Sequence, residues 1–223
     1  MKKWLWLPSL LITILIPLIL VLTSIRVLFT PEFLAFEYGL KNFPTDEYGF
    51  STNERFHWGT QTIVYLFNSE GIEYLADLKL DDGTPIYNER ELSHMDDVKL
   101  LVQAALKVWY GALVLFILLA LIAWRTNLLP HFVKAVAAGG WLTIGLIGII
   151  LAGTLINFDV LFTQFHLIFF TGDTWLFYAD DTLIRLLPIK LWSDGFLLMG
   201  IITLIGALIA ALVIPRLYFR NKK

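Results

Sequence analysis

Four long apolar stretches, roughly residues 4 to 28, 101 to 124, 133 to 156 and 195 to 214, set the terms on which this 223-residue chain can fold. Crossing a hydrocarbon layer of about 30 Å takes about 20 apolar residues, and a helix satisfies its own backbone there without water. Each stretch meets that length. The expected fold is therefore an all-α integral membrane protein with four transmembrane helices. Composition agrees: 57% hydrophobic and 16% charged residues make the chain too apolar for an ordinary soluble domain.

The first stretch follows Lys2 and Lys3 as the core of an export signal would. A signal core spans about 7 to 15 residues and ends at a small-x-small cleavage site. The run here is longer, and no such site follows Leu22, so the expectation is a retained span kinked at Pro17.

Charge placement gives the expected orientation, because cytoplasmic flanks collect Lys and Arg. All 19 Asp and Glu fall within residues 32–97 or 159–194, whereas Lys2, Lys3, Arg125, Lys134, Arg216, Arg220, Lys222 and Lys223 flank the opposite ends. Both termini are expected in the cytoplasm. The organisation that follows is a first transmembrane helix in 1–28, an extracytoplasmic cap in 29–100, a second span in 101–124 and a cytoplasmic loop in 125–132. A third span in 133–156, an extracytoplasmic amphipathic segment in 157–194, a fourth span in 195–214 and a cytoplasmic tail in 215–223 complete it. With no repeat and no low-complexity linker, one compact unit is expected. A net charge of -2 with acidic external parts gives no support to nucleic-acid binding, and the absence of Cys excludes disulfides and thiol chemistry.

Within the cap, Ser51 and Glu54 have capping-box spacing ahead of Phe56, Thr60, Ile63, Val64 and Phe67, which suggests an amphipathic helix on the membrane surface. LADLKL, the turn Asp81-Asp82-Gly83 and PIYNEREL read as a small β-hairpin. Ser93 and Asp96 repeat the capping spacing, with Asp97 in the first turn of the helix they would start. That places His94 at the positive end of a helix dipole, which disfavours imidazolium and keeps the ring neutral. In the second external segment a helix from about Val160 to Phe170 would hold His166 at the same membrane depth, among Phe162, Phe165, Phe169 and Phe170.

The remaining polar residues have plainer readings. His131 falls on the cytoplasmic side, and His57 reads as an interfacial residue beside Trp58. Ser93 and Ser193 lack a G-x-S-x-G context, so an acyl-enzyme route is not favoured. No H-E-x-x-H spacing exists, and neither a metal nor a cofactor is expected. Arg26 and Arg185 either snorkel to headgroups or hold a phosphate or carbonyl of a ligand. Asp159, Asp173 and Asp180 read as solvated. Gly139, Gly140, Gly145, Gly148 and Gly153, with Gly200, Gly206, Ala207, Ala210 and Ala211, mark close helix packing or a groove for lipid tails. On residues alone two classes stay open: a membrane enzyme using paired histidines, and a non-enzymatic membrane chaperone or lipid-binding scaffold using the acidic cap.

ELSHMDDVK and FHLIFFTGDTWLF, continued by DTLIRLLP and Trp192, resemble the bacterial lipoprotein intramolecular transacylase (Lit) family over essentially the whole chain. The resemblance implies an acyltransferase acting at the outer leaflet on lipoproteins with a diacylglyceryl-cysteine and a free α-amine. It would move the sn-2 acyl chain to that amine and give the lyso form. It also implies that His94 and His166 are the essential histidines and that Asp97, Trp175 and Asp181 are motif positions; these three, together with Arg185 from the reading of its charge above, are the candidate substrate-binding or supporting residues. The expected partners are the lipoprotein and membrane lipids. The chemistry suits these residues: an α-ammonium of pKa ~8 must lose a proton before it attacks an ester, and an imidazole of pKa ~6.5 is a suitable base. A second imidazole can donate to the departing oxygen, and the substrate brings its own nucleophile beside its own ester.

Overall fold

The computed structural model describes residues 6–220; Lys2, Lys3, Lys222 and Lys223, part of the expected basic rims, lie outside these described residues. Its helices are α1 (Trp6–Leu28), α2 (Pro31–Tyr38), α3 (Thr52–Phe67), α4 (Glu73–Ala76), α5 (Glu89–Arg125), α6 (Leu129–Phe169), α7 (Thr182–Leu186) and α8 (Ile189–Leu208). A π-helical turn (Ile209–Val213) leads into α9 (Ile214–Arg220). Trp6–Leu28, Glu89–Arg125, Leu129–Phe169 and the continuous Ile189–Arg220 are long and apolar enough to cross a membrane. The chain is a helical, four-span membrane protein, and many leucines, isoleucines and tryptophans on these helices are exposed, as a lipid-facing surface requires.

Where one compact unit was expected, the chain forms two. The first contains the described residues up to Arg26, Leu106–Ile156 and Phe196 onward. Its core gathers Ile12, Ile16, Ala123, Phe132, Ala135, Val136 and Ala210. The paired glycines of α6 act here as packing residues. A Cβ on Gly139 would stand 2.6 Å from the Cβ of Ile16, and one on Gly140 2.6 Å from the backbone nitrogen of Ala211. Ser24 and Thr203 join by a buried hydroxyl–hydroxyl hydrogen bond of 2.8 Å, which satisfies two polar groups where no water reaches.

The second unit contains Val27–Ala105 and Asn157–Gly195. It has a core of its own around Leu34, Tyr65, Leu75, Tyr87, Met95, Leu183 and Leu186, which is why it separates from the apolar helices. Ser51 caps α3 as its spacing predicts: its hydroxyl accepts from Glu54 N while the Glu54 carboxylate accepts from Ser51 N. The buried face of α3 differs from the expected stripe. It runs through Arg55, Gly59, Thr62, Ile63 and Leu66, packed against α2, while Phe56 and Val64 are exposed. Arg55 is tolerated inside because it donates to the carbonyls of Pro44 (2.7 Å) and Arg185 (2.9 Å) and lies over Tyr38 and Phe43.

The expected β-hairpin is not present; among the described residues it reduces to one bridge between Lys79 and Pro85. Leu80 N donates to Thr84 O and Ile86 N to Leu78 O, closing a tight loop at Gly83. The pairing does not lengthen, because the chain is already helical over Glu73–Ala76 before it and again from Glu89 after it.

Candidate active site

The start of α5 is set by Asn88 and not by Ser93. Asn88 N donates to Glu91 Oε2 (2.8 Å) and Glu91 N to Asn88 Oδ1 (3.0 Å), a reciprocal cap one turn ahead of the one expected. Ser93 is therefore inside the helix and exposed, while His94, next to it in the second turn, is buried. The helix-dipole reason for a neutral His94 consequently weakens, because that effect is confined to the first turn.

His166 reaches the site on the far part of α6. Asn157 interrupts that helix with non-helical backbone angles (φ -160, ψ 92), and its side chain accepts from Val160 N at 3.1 Å, restarting the helix. Beyond Phe169 the chain turns back through Gly172, whose φ of +77 suits a residue without a side chain, and brings Trp175 and Phe177 over the histidines.

The two imidazoles stand 5.8 Å apart between centroids and 25° from parallel. His94 meets the edges of Phe170 (5.0 Å) and Phe177 (5.3 Å), whereas His166 packs on Phe162 (4.2 Å) and stacks on the indole of Trp175 (4.9 Å, 29°). Each is only 7% exposed. His166 Nδ1 lies 2.8 Å from Phe162 O. A carbonyl can only accept, so the ring donates through Nδ1 and keeps its lone pair on Nε2. His94 Nδ1 is buried with no partner, as are Trp175 Nε1 and Thr174 Oγ1.

Residues 89–99 carry Glu89, Arg90, Glu91, Asp96, Asp97 and Lys99, so His94 precedes the apolar run of α5. Burial among carbon walls brings its imidazole from 6.5 down to about 4, with the neighbouring His166 adding to the effect. His166 is also pushed down by burial, against the hydrogen bond to Phe162 O. Burial thus does what the helix dipole was expected to do.

Asp181 anchors the returning segment. Its carboxylate accepts from Asn88 Nδ2 (2.7 Å) and Tyr178 N (2.7 Å) and pairs with Arg90 (3.4 Å), whose guanidinium lies over Tyr178. Glu91, 1% exposed, accepts from Leu183 N at 2.6 Å and ties the same segment to α5. Arg185 is engaged elsewhere: its guanidinium forks onto both oxygens of Asp46 at 3.0 Å and covers Phe50. Asp97 is half-buried, one turn past His94 on α5. His57 and His131 are exposed and take no part in the ring cluster, and among the described residues no three His, Asp or Glu side chains converge as a metal site would require.

Asn88, Glu91, Arg90 and Phe177 were not singled out from the sequence. Asn88-x-x-Glu91 carries a capping signal as strong as that of Ser93-x-x-Asp96, and only tertiary contacts to Asp181 and Leu183 separate the two.

A family model described as lipoprotein intramolecular transacylase Lit matches residues 10–192. The chain belongs to this family. It is accordingly a membrane acyltransferase, a lipoprotein intramolecular transacylase, and the scaffold reading is set aside. A protein of Aquifex aeolicus (strain VF5), described as uncharacterized, is 31% identical over 204 residues, 90% of each chain. The fold is similar to the in meso structure of the transacylase Lit from Bacillus cereus, with TM-score 0.84 and 20% identity over 100% of this chain and 99% of that one. It is also similar to a histidine-to-arginine variant of the Bacillus cereus protein, with TM-score 0.73 and 22% identity over 98% and 93% of the two chains.

Proposed function

We propose that this transacylase moves the sn-2 acyl chain of a diacylglyceryl-cysteine lipoprotein to the cysteine α-amine, with His166 as general base and His94 as the donor to the departing oxygen. The observation that carries this reading is the near-parallel pair of imidazoles at 5.8 Å, with His166 Nδ1 committed to Phe162 O. The free amine attacks the ester carbonyl carbon, and as the N–C bond forms its proton passes to His166 Nε2. The C–O bond to the sn-2 position then breaks, the imidazolium returns that proton to the leaving oxygen, and neutral His94 holds the oxygen by a hydrogen bond as charge develops on it. The products are an amide and an sn-2 hydroxyl, so atoms and protons balance without any added reactant.

Phe162, Phe165, Phe170 and Phe177 suit this chemistry because they keep water from competing with the amine for the ester. Asp181 holds the returning segment in place, Asp97 draws the substrate's ammonium toward α5, and Arg185 supports the segment through Asp46. We assign both termini to the cytoplasm and the site to the outer leaflet, on the charge partition along the sequence. The test is mass spectrometry of a synthetic diacylglyceryl-cysteine peptide incubated with the purified protein. The expected product carries one chain on nitrogen and one on the glyceryl group; free fatty acid in its place would identify a hydrolase and overturn the reading.

A further inference from the structure

Donors at the site are fewer than the reaction needs. His166 spends its N–H on Phe162 O, and His94, being neutral, has one N–H, which the mechanism gives to the departing oxygen. Nothing on either ring remains for the ester's carbonyl oxygen, where most negative charge gathers in the tetrahedral intermediate. The phenylalanines around the rings offer only carbon.

We propose that the indole N–H of Trp175 is the donor that holds this carbonyl oxygen, with the Thr174 hydroxyl as a second donor from the same turn. The proposal rests on the transacylase chemistry proposed above. An indole nitrogen can only donate, and leaving a donor buried without an acceptor costs about 1–3 kcal/mol. Trp175 Nε1 is such a donor, and it belongs to the ring stacked on His166 at 4.9 Å. Thr174 Oγ1, adjacent in the chain, is buried and unpartnered as well. A donor left unsatisfied on the ring stacked against the base is explained by an acceptor that arrives with the substrate. The position is also held firmly: Leu176 N donates to Asp173 O across the turn, and Tyr178 N is fixed by Asp181. Trp175 is thereby a catalytic residue, giving a hydrogen bond that strengthens as the carbonyl becomes an oxyanion and weakens when the amide forms, with no net proton transfer.

Trp175→Phe keeps an aromatic stack and removes the N–H. On the synthetic diacylglyceryl-cysteine peptide, kcat should fall about 10²- to 10³-fold with KM little changed, the loss typical of one oxyanion donor. In protein labelled with [15N]tryptophan, the indole N–H signal missing from Trp175→Phe should move downfield when the lyso-form product, which presents an amide carbonyl, is added. A variant within threefold of the parent rate, beside an active parent and an inactive His166→Ala, overturns the Trp175 assignment and leaves the transacylase reading standing. A slow variant whose parent indole signal ignores saturating product also overturns it, since Trp175 then acts only through packing. A parent that yields no lyso form removes the reading on which the proposal depends.

Discussion

His94 and His166 face each other as near-parallel rings 5.8 Å apart, one carried by the second turn of α5 and the other by the far part of α6. Each ring leans on Phe170 as well as on the other, so the pair is a packed unit.

His94→Ala and His166→Ala should each lower lyso-form production by about 10²- to 10⁴-fold, the usual cost of losing a general acid or base. The double variant should be little worse than either single one, because groups acting as a unit are not additive. His131→Ala should be near silent. Mass spectrometry of the peptide product across the four variants makes the comparison, and near-normal product from either single variant would sink the paired mechanism.

Burial lowers His94 to about 4, so its ring is already neutral near pH 6, and burial shifts His166 in the same direction. A base shifted down from the ordinary 6.5 makes its own rise in rate at lower pH than a solvated histidine would. The profile of kcat/KM should therefore climb with deprotonation of the substrate's amine, reaching half its plateau near pH ~8 and levelling off about one unit above. A half-rise at ~6.5 that persists when the amine is made less basic would show that a solvated histidine controls the rate.

Glu37 is fully buried with no donor on either oxygen, and burial, followed by the neighbouring Asp194, raises its carboxyl to about 7 against the opposing Lys190. A folded-state value above the unfolded one means that stability is complete below the unfolded value of 4.5 and is lost as pH rises through about 7. Glu37→Gln should match the parent's melting temperature in detergent at pH 4.5 and exceed it at pH 8. Equal melting at both pH values would show that Glu37 does not carry the proton.

Arg185→Lys replaces a two-pronged contact with Asp46 by a single one. Thermal unfolding should show a loss of about 1–3 kcal/mol, and kcat at saturating substrate should stay within threefold. A variant of unchanged stability that loses substrate affinity would return Arg185 to the binding site.

Reporters fused after Lys223 and inserted near Asn127 should read as cytoplasmic, and one inserted near Gly83 as external. An exported C-terminus would reverse the orientation and place His131 on the side assigned to the chemistry.

What the sequence determined by itself was whatever depends on neighbours within a turn or on the average character of a run. Twenty apolar residues partition into lipid wherever they occur, so four spans were legible. The Ser51–Glu54 cap was legible too, because its hydrogen bonds close within three residues. Tertiary structure decided the cases where local signals competed. Asn88 prevailed over Ser93 as the start of α5 because Asp181 and Leu183 hold Asn88 and Glu91. The 79–85 loop did not grow into a hairpin because helix α4 took up the residues before it. That Trp175 stacks on His166, with its Nε1 left without an acceptor, follows from contacts between α6 and the segment that folds back over it. No local pattern encodes such contacts, because they arise only when the buried carboxylates of Glu91 and Asp181 pull a distant stretch of chain against the rings.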